Sequence, residues 1–153
     1  MKPLTIAGYG ISIDLPAGWE GLIYRRKDAH PILHAGSFAL PGGDGDFGTG
    51  AIDAMGPGDV FVALLEYDGA LGGYGLFGTQ GIPIPVRTGE LSPRAFPRIV
   101  RGRVAVQKFF TDQDRAFCLY FVAAATDGLP PRAAVRSANR ILRTLQIYPG
   151  DTA

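Results

Sequence analysis

Cysteine, tryptophan, histidine and methionine are all scarce among the 153 residues, with one Cys, one Trp, two His and two Met. A lone Cys118 excludes a scaffold stapled by disulfides. Long apolar runs are missing too, and no stretch approaches the roughly 18 residues that a membrane-spanning helix needs. Charge is sparse at 19%, but 46% of residues are hydrophobic, enough apolar surface to exclude a disordered chain. Breakers are abundant instead. With 22 glycines and 12 prolines the chain does not make the long helices of a coiled coil. The expectation left standing is one soluble, loop-rich domain spanning residues 1–153.

The residues from Met1 to Gly8 have no apolar core of seven or more, so no secretory leader is expected. The chain reads as cytoplasmic if Met1 is the native start, and as exported or cell-envelope if a leader has been removed. Net charge is +1, but it is unevenly spread. Residues 1–86 hold four basic side chains against nine acidic ones, and residues 87–143 hold eleven against four.

Residues 9–15 alternate, with Ile11, Ile13 and Leu15 on one side and Ser12 and Asp14 on the other, the period of a half-buried strand. After Pro16-Ala17-Gly18, residues 19–26 read as a second strand closing a β-hairpin with the first. Residues 31–40 predict a third strand. Residues 51–55 predict one helical turn, and 60–67 a strand covered on both faces. The stretch 69–97 reads mostly as loop, with a short edge strand at 82–86 because its prolines cannot donate to a ladder.

Residues 103–111 and 115–125 flank Asp112-Gln113-Asp114 and predict a second hairpin. Phe117, Leu119 and Phe121 face one way and Cys118, Tyr120 and Val122 the other, which marks a central strand. Following Asp127-Gly128-Leu129, Pro130 and Pro131 suit the first turn of a helix. That helix is expected to reach about Leu145, with Val135, Ala138, Leu142 and Leu145 as an apolar seam. Residues 146–148 add a short tail with strand character. The fold class expected is α+β, an antiparallel sheet of about five to seven strands packed by a C-terminal amphipathic helix.

Catalytic and cofactor motifs fail on their chemistry. Gly43-Asp-Gly45-Asp-Phe-Gly48 and Gly73-Tyr-Gly75-Leu-Phe-Gly78 have dinucleotide-loop spacing. The first puts Asp44 and Asp46 where an anion would sit, and Pro83 and Pro85 follow the second in place of a helix. Asp44, Asp46 and Asp53 do not make a calcium loop, because Thr49 and Met55 stand where Gly and Glu are required. His30 and His34 would lie about 13 Å apart on a strand, too far for one metal ion, and read as surface or rim residues. Cys118 in its apolar strand reads as a core thiol with raised pKa. Ser12, Ser37, Ser92 and Ser137 sit in no nucleophile elbow. No cofactor, metal or catalytic residue is expected.

Two features point to recognition. Arg132, Arg136 and Arg140 recur every fourth residue and Arg143 falls beside them. No acid lies between Arg132 and Leu145. This cationic stripe suits an acidic protein surface, anionic lipid or nucleic acid, or else is a solvated face balanced by acids elsewhere in the fold. An isoelectric point of about 7.9 makes nucleic acid the least favoured partner. The 69–97 loop carries Leu71, Tyr74, Leu76 and Phe77, aromatics and aliphatics suited to protein contact or to lidding a pocket.

Tyr9-x-Ile11-x-Ile13-x-Leu15-Pro16-x-Gly18-Trp19 resembles the opening hairpin of PsbP-like proteins. The aromatic strand 117–122 followed by a helix finishing Ile141-Leu142-Arg143-Thr144-Leu145 is similar to the ending of bacterial members, including lipoproteins of the LpqN type. The resemblance implies a PsbP-like sandwich and an accessory or partner-binding role with no shared catalytic site. It carries over no functional residue and places Trp19 in packing. Lack of a leader or lipobox cysteine departs from the lipoprotein members. The expected function is a non-catalytic interaction domain with a protein partner. The alternative is a small-molecule carrier whose apolar pocket lies between sheet and helix, lined by Phe109, Tyr120 and Ile141.

Overall fold

In the computed structural model, residues 3–96, 100–124 and 131–150 are described. Strand β2 (Ile11–Leu15) buries Ile11, Ile13 and Leu15 and leaves Ser12 and Asp14 half-buried, as the alternation requires. Its hairpin partner is β1 (Leu4–Gly8), with Leu4 opposite Leu15 and Gly8 opposite Ile11. The turn is Tyr9-Gly10, with φ of 53° and 75°, the left-handed pair that a two-residue hairpin turn needs. This corrects the hairpin expected between residues 9–15 and 19–26. Pro16 to Gly18 carry the chain into a different sheet, where β3 (Glu20–Tyr24) pairs with β4 (Ile32–Gly36).

The larger sheet runs β3-β4-β5-β7-β6, antiparallel throughout, with β5 (Val60–Tyr67), β6 (Arg103–Asp112) and β7 (Arg115–Ala124). The β6–β7 turn is Gln113-Asp114, both at positive φ. Strand β7 is buried on both faces as expected, but the middle place belongs to β5. The smaller sheet is β1-β2-β8, with β8 (Gln146–Ile147) along the free edge of β2. Two antiparallel sheets of three and five strands therefore replace the single sheet expected.

Two helices complete the described elements. In α1 (Thr49–Ala54), Ala51 and Ile52 are buried. Helix α2 (Arg132–Leu142) buries Ala134, Val135, Ala138, Ile141 and Leu142. These α2 residues share one apolar cluster with Phe117, Leu119 and Phe121 of β7 and with Ile11, Ile13 and Leu15 of β2. The opposite face of the larger sheet holds a second cluster, in which Tyr120 and Val122 meet Ala51, Ile52 and Met55.

No strand forms at 82–86. The Asn139 side chain accepts from the Val86 amide and donates to its carbonyl, both at 2.8 Å, so Val86 is satisfied without a ladder. The rest of 69–96 is punctuated by 3₁₀ turns at Gly69–Leu71, Gly75–Phe77, Thr88–Glu90 and Pro93–Ala95. Ser92 also bridges Ala105 of β6. The turn expected at Asp127-Gly128-Leu129, with Ala125 and Pro130, lies outside the described residues, as does Pro97.

Candidate functional site

At 100° per residue, Arg132, Arg136, Arg140 and Arg143 fall within about 80° of arc, opposite the buried seam. All four are exposed. None makes a side-chain hydrogen bond or ion pair with a described residue, whereas Arg26, Lys108 and Arg115 are paired with Asp46, Glu90 and Glu66. Arg132 and Arg136 border a groove of about 490 Å³ with Val135, Thr88 and Gly89. Arg140 edges a depression of about 280 Å³ shared with Asp14, Pro16 and Thr144. The face is thus a row of planar donors whose fork geometry matches carboxylates.

The other expected contact residues separate from this row. Tyr74 is 75% exposed and Leu76 69%, but Phe77 is only 6% exposed. Phe77 packs against Tyr67 at 5.4 Å and Phe109 at 5.5 Å between ring centroids, so its ring anchors the loop from within and does not lie open on the surface as expected. Phe109 lies opposite Cys118 in the ladder, on the face turned away from α2. The Thr111 hydroxyl fastens the loop further, donating to the Phe77 carbonyl at 2.6 Å and accepting from the Gly73 amide at 2.8 Å.

The carrier arrangement is corrected in the same way. Phe109 and Tyr120 share one face of the sheet, while Ile141 belongs to the cluster on the other. Tyr120 instead lines a cavity of about 560 Å³ with Phe47, Ile52 and Phe96, on the α1 side.

The Gly/Asp loop consumes its own acids. Asp44 accepts from the Gly45 amide and from the first-turn amides Gly50 and Ala51 of α1, whose N-cap Gly48 has no side chain to do so. Asp46 accepts from the Tyr24 hydroxyl at 3.0 Å and from Arg26 Nε at 2.9 Å. Burial, with Asp46 beside it, pushes the Tyr24 hydroxyl up to about 12. His30 is exposed, but His34 is not the rim residue expected. It is 3% exposed, donates from Nε2 to the Asp46 carbonyl at 2.7 Å and meets the rings of Tyr24 and Phe61 edge-on. Burial pushes its pKa down. Cys118 is buried and its thiol is pushed up to about 12 by that burial, which suppresses the thiolate at neutral pH.

Sequence reasoning missed Arg115, whose five N–H donors are all placed. Nε and Nη2 reach Glu66, Nη1 reaches the Gly10 and Tyr148 carbonyls, and Nη2 also reaches Tyr9. Arg115 begins β7 two residues before Phe117, which pairs with Glu66 in the β5–β7 ladder, so the ion pair is diagonal and no local pattern marks it. No group of three or more potential metal ligands occurs among the described residues. No helix among them is long and apolar enough to cross a membrane. The chain matches no family model, and neither curated proteins nor solved structures return a match.

Proposed function

We propose that the protein is a non-catalytic binding domain that docks an acidic surface of a partner protein onto the outward face of α2. Arg132, Arg136, Arg140 and Arg143 are the donors. The observation that carries this reading is four exposed guanidiniums in one row with no counter-ion among the described residues. Like charges at i and i+4 cost about 0.2–0.5 kcal/mol per pair, so internal stability does not account for the row. A carboxylate-bearing surface relieves that repulsion, and the weak hydration of guanidinium keeps its desolvation cheap. A net charge of +1 favours a local acidic patch over the phosphate backbone of nucleic acid. We extend the reading to a PsbP-like sandwich with an accessory role. It is supported by the two antiparallel sheets and by a helix late in the chain.

The test is affinity capture from the native cell extract with the wild type and the Arg132→Glu/Arg136→Glu/Arg140→Glu variant. The wild type should retain an acidic protein that is released as salt rises. The variant should keep the wild-type unfolding midpoint and lose that protein. Equal recovery by both chains would refute the proposal.

A further inference from the structure

The cavity on the far side of the larger sheet does not depend on α2. It opens between α1, the Pro93–Ala95 turn and strands β6 and β7, and holds about 560 Å³, within the range of about 300–1,000 Å³ typical of small-molecule sites. We propose that it binds a small, uncharged, mostly apolar molecule, a fused aromatic ring system carrying a hydrogen-bonding group.

Three observations select that chemistry. Tyr120 is met edge-to-face by Phe47 at 5.8 Å and by Phe96 at 6.4 Å, each at 78°. Three rings around one space favour a further ring, packed offset or edge-on. Ile52 and Val100 complete an apolar wall, and no described lining residue carries a formal charge. An ionic ligand would lose its hydration there and gain no counter-charge from a described lining residue. Gln107, opposite Tyr120 in the β6–β7 ladder, is exposed and makes no side-chain hydrogen bond with a described residue. Its amide supplies one acceptor and two donors at the cavity wall, enough to orient a single polar substituent. Phe47, 41% exposed, would be covered by such a ligand, and removing that ring from water drives the association.

The probe is prodan, a neutral naphthyl ketone whose emission rises in apolar surroundings. Titration of the full chain should give a saturable increase with one site per chain. Ala95→Trp and Gln107→Trp fill the space from different walls, at half-buried and exposed positions. Each should weaken binding tenfold or more while keeping the wild-type unfolding midpoint. The α2 charge-reversal variant should bind prodan as the wild type does, which separates this site from the partner face. The proposal is overturned if the wild type shows no saturable signal, or if both tryptophan variants bind undiminished. It is also overturned if the chain sediments as a dimer that Gln107→Trp dissociates, which would make this face an interface between copies.

Discussion

Among single side chains, His34 couples most directly to pH. Folding buries its ring between Tyr24 and Phe61. Burial lowers its pKa below the ordinary 6.5, against a smaller upward pull from Asp46 and Asp44, while the nearby Arg26 adds to the lowering. The unfolded chain therefore takes up a proton first as pH falls. Above the ordinary value this residue adds no pH dependence. As pH drops through 6.5 toward the depressed folded value, stability declines by at most about 1.4 kcal/mol per pH unit. Urea unfolding of the wild type should show that decline, and His34→Gln should flatten it. An unchanged slope in the variant would assign the pH dependence elsewhere. The burial of Cys118 was legible, because apolar residues surround it on both sides in the chain. That of His34 was not, because the carbonyl that holds it belongs to Asp46, twelve positions away.

At the scale of elements, local pattern carried α2 and β2, whose buried residues recur at the helix and strand periods, and β5 and β7, whose unbroken apolar runs are buried on both faces. It failed for β1, where Leu4 is 63% exposed and little of the strand faces a core, so no alternation marks it. Residues 69–96 are loop as expected, but the edge strand expected at 82–86 is absent, and the loop is held by polar side chains far away in sequence. Asn139 is the clearest case, because both of its hydrogen bonds go to Val86. Asn139→Ala strands a partly buried amide and carbonyl, and the expected cost is about 1–3 kcal/mol. Asn139→Asp keeps the acceptor and loses the donor, and should fall between the alanine variant and the wild type. Denaturant unfolding reads both, and hydrogen exchange at Val86 should quicken in the same order. Wild-type exchange in the alanine variant would show that packing alone holds this segment. The arginine row was visible for a related reason. Its spacing is local, but the absence of counter-ions among the described residues needed the fold.

For the whole molecule, the question is what holds the small sheet against the large one, because α2 rests on both. Thr144, just beyond α2, accepts from the Asp14 amide of β2 at 2.9 Å, and α2 shares its cluster with β2 and β7. Arg115 is the polar joint. It reaches from the start of β7 to Glu66 on β5, to both residues of the β1–β2 turn, and to Tyr148 after β8. The ion pair is nearly dry, with the two side chains 8% and 11% exposed. Removing one member of such a pair leaves the other charge without compensation and costs about 3–5 kcal/mol. Arg115→Met should therefore be severe, and Glu66→Leu comparably so. The double variant should be less destabilised than the sum of the two by more than about 1 kcal/mol. Amide exchange should quicken first in β1, β2 and β8, and the partner binding proposed for α2 should weaken with it, since the helix then loses one of its two supports. Additive effects on stability, or unaltered exchange in the small sheet of Arg115→Met, would show that apolar packing alone joins the two sheets.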